Sequence, residues 1–340
     1  MPEGNYFMRK IFVKLISLAL TLVLALSLAG CFYETDYSLE STSSSSVPTT
    51  STVKPYVRTE FDPVKYPYYA MLSETEKNIY SQICEELTAG NSKFECLIEI
   101  SADQLTRAID AVLNDHPEFF WVDSTYGYSY DPKTGSIKEI NFTFFDFADT
   151  PEKLEAAKSE VDSIVTSIMD KTFSYSSAVE RELFIHDYIC ENTTYDINAD
   201  YNQSAYSVLV LHKSVCAGYA RCFQYLMQKA GITCYYVTGR TDGLNSSVVG
   251  SSDADGSHSW NMVRLDGAFY NVDCLWDDTA SETYGSLIYP FFNVTDEGLV
   301  YHARIDKALG LPECTATEFK YSNQFGSTIE ADSIVFADAA

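Results

Sequence analysis

The feature that most constrains the fold is an Asp266-Gly267 pair between two runs in which polar and apolar residues alternate. One run covers residues 258–265, and the other covers residues 268–273. Asp-Gly between two such runs is a strong signal for a β-hairpin with a two-residue turn. The sequence therefore predicts two antiparallel strands whose register is fixed by the turn.

This register places a histidine beside a carboxylate. Counting outward from a two-residue turn puts His258 opposite Leu275, and Asp273 lies two residues from that position. Because side chains alternate between the two faces of a strand, an even offset puts Asp273 on the same face as His258. Diagonal neighbours on one face are about 7–8 Å apart between backbones and closer at their side-chain tips. We therefore expect a hydrogen bond between His258 and Asp273.

A cysteine stands at the predicted start of a helix. Cys216 is followed by apolar residues at helical spacing and by Gly231, which is typical of a helix C-terminus. The free amides and the positive dipole end of a helix N-terminus stabilise a thiolate, whereas Cys222, inside the helix, is predicted to be a buried neutral thiol. A thiolate, an imidazole and an orienting carboxylate form a nucleophilic acyl-transfer site. The candidate catalytic residues are Cys216, His258 and Asp273.

Other residues compete for some of these roles. His186 and His212 are alternatives for the base, but neither has a carboxylate placed by a comparable hairpin, and both are interpreted as structural. For the oxyanion that an acyl transfer creates, the backbone amide of Cys216 is the candidate donor. Tyr195 and Tyr206 remain open as side-chain alternatives.

Segments around these residues resemble the transglutaminase-like superfamily, in its bacterial branch of cysteine proteases. The segments that carry this resemblance are residues 215–220, 258–261 and 270–278. The likeness covers roughly residues 177–302. It implies a papain-like fold with Cys216 as nucleophile, His258 as general acid and base, and Asp273 as the residue that orients the imidazole.

The predicted fold class is α+β. A transglutaminase-like domain, in which the helix bearing the nucleophile packs on an antiparallel sheet, follows a smaller α+β domain. Capping boxes at Ser73, Ser101 and Ser177 and the Thr150-Pro151 pair predict helix starts. The predicted division of the chain is a signal peptide (1–31), a tether (32–59), a small domain (60–150), a transglutaminase-like domain (151–310) and a C-terminal extension (311–340).

The first residues indicate export. Cationic residues precede an apolar run at 15–29, which is shorter than the ~20 residues a membrane-spanning helix needs and is typical of a signal peptide. The run ends in Leu-Ala-Gly before Cys31, which resembles the lipobox of bacterial lipoproteins. We therefore predict lipidation at Cys31 and anchoring at the extracytoplasmic face of a bacterial membrane. Residues 32–59, rich in serine and threonine, are predicted to be a flexible tether.

Composition narrows the partners and cofactors. The chain has 23 Lys and Arg against 48 Asp and Glu, a net charge of −25, and no basic stretch that could neutralise a phosphate backbone. Nucleic acid is therefore not expected as a ligand. The nine cysteines lack the CxxC pairs of a zinc site, and neither a glycine-rich phosphate loop nor an HExxH helix is present. We expect no metal and no cofactor, and the oligomeric state stays open.

Two functions fit these observations. The first is a surface-anchored cysteine enzyme that transfers an acyl group from a peptide or protein amide, preferably to water and alternatively to an amine. Its predicted location suggests surface proteins or cell-wall peptides as substrates. The second is a non-catalytic module that binds peptides or glycans on the same scaffold. The reactivity of the Cys216 thiol separates the two, because a scaffold has no need of an activated thiol.

Overall fold

Each predicted capping box is formed in the computed structural model, which describes residues 56–241 and 256–334. The side chains of Ser73, Ser101 and Ser177 each accept a hydrogen bond from the amide three residues later, and the return bond from the Glu or Gln is present. Thr150 caps the helix that begins at Pro151. These bonds satisfy amides that have no acceptor inside the helix.

The helices and strands alternate irregularly along the chain, as an α+β fold requires. The helices are α1 (Pro67–Ala70), α2 (Glu74–Thr88), α3 (Ala102–Asp115), α4 (Pro151–Thr172), α5 (Ala178–Asn192), α6 (Cys216–Lys229), α7 (Cys274–Tyr284) and α8 (Tyr321–Gln324). The strands are β1 (Lys93–Glu95), β2 (Val122–Tyr130), β3 (Ile137–Phe144), β4 (Thr194–Tyr195), β5 (Lys213–Ser214), β6 (Cys234–Thr241), β7 (Ser257–Leu265), β8 (Ala268–Val272) and β9 (His302–Arg304). A π-helical segment, Ser207–Leu211, precedes β5.

The strands form sheets of two kinds. An antiparallel sheet of order β1-β3-β2 lies in the first half of the described chain, and an antiparallel sheet of order β8-β7-β6-β9 lies in the second half. Strands β4 and β5 form a short parallel pair just before α6. The predicted α+β fold class, with the nucleophile's helix packed on an antiparallel sheet, is confirmed.

The hairpin turn forms as predicted. Asp266 and Gly267 both have positive φ, 47° and 89°, which is the geometry of a two-residue turn that favours Asp-Gly. Leu265 pairs with Ala268, and the same register continues to the end of β8.

The outer end of the hairpin differs from the prediction. Strand β8 ends at Val272, and the chain turns into α7 at Cys274, so Leu275 is helical and does not face His258. On its other edge His258 pairs with Gly239 of β6. The strand ends early because the Asp273 side chain caps the new helix, which redirects the backbone.

Helix α6 is held against the sheet by one buried amide. The Nδ2 atom of Asn261 on β7 donates to the carbonyl oxygen of Ala220 on α6 at 2.9 Å and to that of Tyr235 on β6 at 3.2 Å. A buried amide in this position costs stability unless its hydrogen bonds are made, so the bonds fix α6 relative to both strands.

A single cluster of buried apolar side chains runs from Tyr68 to Ala331. The hydroxyl of Tyr68 also donates to the carbonyl of Tyr236 at 2.6 Å, which ties the first described helix to the second sheet. The predicted domain boundary at 150/151 stays a prediction. The predicted signal peptide, Cys31 and most of the tether lie outside the described residues. Among the described residues, no helix is long and apolar enough to cross a bilayer.

Candidate active site

The candidate nucleophile lies at the N-terminus of α6. Cys216 is the first residue of the helix, and its amide is therefore one of the N-terminal amides that have no acceptor inside the helix. Its side chain is only 4% exposed. The position is tightly built, because a Cβ added to Gly218 would lie 1.9 Å from Ser214 Oγ and 2.7 Å from the Asn202 carbonyl oxygen. Only glycine lets the first turn of α6 approach these segments so closely.

The candidate base lies on β7 in an enclosed environment. The His258 ring is buried between Trp260 and Trp276, whose ring centroids lie 6.0 and 5.6 Å from its own. Its Nε2 atom lies 2.5 Å from Asp273 Oδ2, which is the predicted histidine–carboxylate contact. Its Nδ1 atom is buried and has no hydrogen-bond partner among the described residues. One ring nitrogen is thus oriented by a carboxylate, and the other is free to accept or donate a proton.

Asp273 serves the helix and the histidine together. Its Oδ1 atom accepts a hydrogen bond from the Trp276 amide at 3.0 Å as the N-cap of α7, while Oδ2 faces His258. The backbone amide of Asp273 donates to the Phe291 carbonyl at 3.1 Å. Asp273 is therefore held by its backbone and by both carboxylate oxygens, and its orientation toward His258 is fixed.

Electrostatics favour an ion pair between these two residues. Burial opposes charge on the His258 ring, but Asp273 and then Cys216 outweigh it and raise the pKa of His258 to about 10. Burial likewise opposes charge on Asp273, but its bonds to the histidines hold the pKa of this carboxyl well below its usual range. An opposite charge within hydrogen-bond distance is the cause of both shifts.

The structure brings all three predicted residues together. Cys216 is close enough to the His258 ring to raise its pKa. The Nδ1 atom nevertheless has no hydrogen bond in the described part of the chain, so Cys216 is a neighbour of the ring and not bonded to it. Catalytic hydrogen bonds are often long without substrate and shorten when it binds.

Sequence reasoning missed a second histidine at this carboxylate. His302 on β9 places Nε2 2.9 Å from Asp273 Oδ2 and Nδ1 2.9 Å from the Val300 carbonyl oxygen. Its side chain is fully buried, and its ring centroid lies 4.2 Å from that of Trp276. A three-residue strand carries no periodic signal, so only the pairing of β9 with β6 could have pointed to His302.

His302 is surrounded by acceptors. The Val300 carbonyl and the Asp273 carboxylate can only accept, whereas a neutral imidazole donates from one nitrogen. Both contacts are hydrogen bonds only when the ring carries two protons. Burial, joined by the neighbouring His258, lowers the pKa of His302, although the bond to Asp273 opposes this. On deprotonation the ring gives up one of the two bonds.

These side chains also form a set of metal-ligand type. Ligand atoms of His258, Asp273 and His302 lie within 4.8 Å of one another. In the structure the two imidazoles instead share Asp273 Oδ2. That the protein uses no metal stays a prediction from the sequence.

The rival histidines occupy other environments. His186 on α5 is buried, with Nε2 3.1 Å from Asp277 Oδ2 and Nδ1 3.1 Å from Asp187 Oδ1. His212 lies at the end of the π-helical segment with a positive φ of 57°, and it is exposed. Neither histidine contacts Cys216 within the described residues.

The sequence left three candidate donors for the oxyanion, the Cys216 amide, Tyr195 and Tyr206, and the structure argues against Tyr206. Tyr206 donates its hydroxyl to Glu160 at 3.2 Å and stacks on Phe147, so its hydroxyl is already engaged. Tyr195 on β4 pairs with Ser214 on β5, two residues before Cys216. The Cys216 amide remains the first candidate donor.

Comparison with known proteins agrees with this geometry. Residues 166–274 match the family model described as the transglutaminase-like superfamily, a segment that contains Cys216, His258 and Asp273. The chain therefore carries a domain of the transglutaminase-like superfamily.

Two curated relatives and one solved structure are similar to parts of the chain. The kyphoscoliosis peptidases of Mus musculus and Homo sapiens are 25% and 26% identical to it over 183 residues, which are 51% of this chain and 27% of each relative. The chain thus spans about a quarter of the length of these relatives. A candidate cysteine protease from Cytophaga hutchinsonii is 12% identical, with a TM-score of 0.31, over 64% of this chain and 76% of that one.

Proposed function

We propose that this protein is a cysteine acyl-transfer enzyme that acts on amide bonds of peptides or proteins. Cys216 is the nucleophile, His258 the general acid and base, and Asp273 the residue that orients His258. The observation that carries the proposal is the state of the His258 ring. Its Nε2 is bonded to Asp273, while its buried Nδ1 has no partner in the described chain and lies on a ring that neighbours Cys216.

The chemistry follows from these positions. The Cys216 thiolate attacks the carbonyl carbon of the amide, and the Cys216 amide at the start of α6 stabilises the oxyanion. The carbon–nitrogen bond breaks, and His258 Nδ1 gives its proton to the departing amine, which leaves a thioester on Cys216. Water then loses a proton to Nδ1 and attacks the thioester. The carbon–sulfur bond breaks, and the products are a carboxylic acid and the free thiol.

We propose water rather than an amine as the acceptor, which makes the enzyme a protease or amidase. Lipid attachment at Cys31 would place the enzyme at the extracytoplasmic face of a bacterial membrane, where surface proteins and cell-wall peptides are the available substrates. The two curated relatives are named peptidases, which supports peptide hydrolysis as the reaction class. The acidic surface is consistent with a soluble exported domain.

The test is the pH dependence of alkylation by iodoacetamide, resolved by site with mass spectrometry. We expect Cys216 to be labelled at pH values well below the ~8.5 at which a free thiol ionises, and His258→Ala and Asp273→Ala to abolish that reactivity. Cys222 is a matched internal control, because it lies on the same helix and burial raises the pKa of its thiol. Ordinary thiol behaviour at Cys216 would favour the binding module instead.

A further inference from the structure

A cavity of about 280 Å³ lies beside α6, between the segment that follows α3 and the loop before the π-helical segment. Its walls combine aromatic and polar side chains. Those that matter here are Phe119, Phe120, Phe145, Tyr201, Asn202 and Arg221. This volume is close to the lower end of the range for small-molecule sites, about 300–1,000 Å³, so the cavity suits a group of amino-acid size.

Arg221 is the unusual residue in this cavity. Its Nε atom is buried without a hydrogen-bond partner, and the side chain forms no ion pair among the described residues. Arg58, Arg107 and Arg304 each pair with a carboxylate, and the other described arginines form no ion pair, but Arg221 alone has a buried guanidinium nitrogen without a partner among the described residues. A buried guanidinium N–H without an acceptor is costly, and because Arg221 lines the cavity, its guanidinium can pair with a carboxylate that enters from outside.

The cation is connected to the elements that carry Cys216 and His258 through one aromatic ring. The Arg221 guanidinium lies 4.7 Å from the centroid of the Tyr236 ring, which packs with Ala217 and Ala220 of α6. The Tyr236 hydroxyl lies 2.7 Å from Ser259 Oγ, in the residue that follows His258. One aromatic ring thus connects the cation, the first turns of α6 and the strand of the candidate base.

We propose that this cavity is a substrate subsite in which Arg221 binds a carboxylate of the peptide. This proposal rests on the proposed function, because it assigns the substrate class of that enzyme. A guanidinium presents paired donors that match a carboxylate, and the aromatic walls accommodate the methylene groups that precede it. The carboxylate comes either from an acidic side chain or from the C-terminal end of a peptide.

Two other titratable side chains line the cavity. Asp123 and His116 also line the cavity, and Asp123 Oδ1 already accepts a hydrogen bond from the Thr125 amide at 2.7 Å. The net charge of −25 repels acidic peptides at long range, but salt screens exposed charges beyond about 8–10 Å. At contact distance the Arg221 charge therefore favours a carboxylate over a neutral group.

Three peptides of equal size test the proposal. N-acetylglutamate α-amide carries only a side-chain carboxylate, N-acetylglutamine carries only an α-carboxylate, and N-acetylglutamine amide is neutral. We expect isothermal titration of the full chain to show that one charged peptide binds about tenfold or more tightly than the neutral one. Which of the two does so identifies the source of the carboxylate.

Variants assign the preference to the cavity. Arg221→Gln should remove the preference and Arg221→Lys should retain part of it, because lysine keeps the charge but not the paired donors. Arg264→Gln is the matched control, since this arginine also contacts an aromatic ring, Phe269, but does not line the cavity. Equal dissociation constants for all three peptides would overturn the proposal, as would an undiminished preference in Arg221→Gln. Should that variant not fold, the wild-type comparison and Arg221→Lys decide.

The peptide-binding test and the Cys216 alkylation test can fail independently of each other. Binding of these peptides does not require the Cys216 thiol, so a carboxylate preference with an inert Cys216 would support the subsite and reject the acyl-transfer mechanism. A reactive Cys216 without any carboxylate preference would support the acyl-transfer mechanism and reject the subsite.

Discussion

Two clusters in this protein contain a cysteine, a histidine and an aspartate, and they differ at one nitrogen atom. In the first, His258 bonds to Asp273 through Nε2 and leaves Nδ1 without a partner among the described residues. In the second, His186 contacts carboxylates through both nitrogens, Nε2 to Asp277 and Nδ1 to Asp187. A base needs a nitrogen that can exchange a proton, so the first cluster suits chemistry and the second suits structure.

The cysteines differ in the same sense. Cys216 begins a helix, where the first backbone amides have no acceptor inside the helix. Cys190 lies near the end of α5, 3.8 Å from His186 Nε2, and its thiol donates to the Cys274 carbonyl at 3.3 Å. Burial raises the pKa of Cys190 well above its usual value. The three residue types alone therefore do not define an active site, because position and unsatisfied atoms distinguish the clusters.

The largest expected effect comes from replacing the cysteine of each cluster by alanine, one at a time. Cys216→Ala should lower amide cleavage at least about 10³-fold, because the nucleophile is lost. Cys190→Ala should leave the rate per folded molecule unchanged. Initial rates on a peptide library, normalised to folded protein, measure both. Retained cleavage in Cys216→Ala would reject Cys216 as the nucleophile.

The carboxylates of the two clusters give the second prediction. Asp273→Asn should lower the rate about 10²–10⁴-fold, since the amide cannot stabilise the charged, correctly oriented imidazole. Asp277→Asn, one turn further along α7, should change the rate far less. Steady-state kinetics measures the difference. Equal losses in the two variants would show that the clusters are not functionally distinct.

The third prediction concerns stability. His186→Ala leaves Asp277 buried without its partner, and removal of one member of a buried pair costs about 3–5 kcal/mol. We expect the free energy of unfolding, measured by urea titration, to fall by this amount. The pH dependence of Cys216 alkylation should not change under native conditions. An altered alkylation profile would place His186 in the chemistry.

The fourth prediction concerns pH and Glu182, a buried carboxyl on α5 that lies one turn before His186 and accepts a hydrogen bond from Asn293 at 2.9 Å. Burial raises the pKa of Glu182 to about 8, so the folded protein holds a proton that the unfolded chain releases near pH 4. Between these values the folded state binds more protons, and stability falls as pH rises, by at most about 1.4 kcal/mol per pH unit from this group. Glu182→Gln should remove that part of the slope. Urea unfolding from pH 5 to pH 9 tests it, and an unchanged slope would contradict it.

The smallest expected effect comes from the second histidine at Asp273. His302→Gln keeps one donor toward the carboxylate, and we expect a rate loss of about tenfold. Because His302 is bonded to the carboxylate that orients His258, its replacement should also shift the pH profile of Cys216 alkylation. A loss of stability with an unchanged profile would make His302 a packing residue only.

The sequence was most informative where structure is determined locally. The turn at Asp266 and Gly267 fixed the register of β7 and β8, and this register brings His258 near Asp273. The prediction failed beyond Val272, because the same aspartate that meets the histidine also caps a helix. A short polar side chain at the end of a strand can serve either role, and spacing does not distinguish them.

The rest of the site depends on contacts between distant segments. The approach of Cys216 to His258 depends on the Asn261 amide, which bonds α6 to the sheet. The contact of His302 with Asp273 spans 29 residues, and that of His186 with Asp277 spans 91. No local periodicity encodes such pairs, so the sequence could not show that Asp273 serves two histidines.

The capping bond of Asp273 makes the first turn of α7 a reporter for the whole site. The Trp276 amide hydrogen is bonded to the same carboxyl group that holds His258. When this turn frays, that hydrogen exchanges with solvent, and the Asp273 carboxyl loses one of the bonds that fix its orientation toward the imidazole. The exchange rate of this backbone hydrogen therefore reports how stable one support of His258 is, without any substrate.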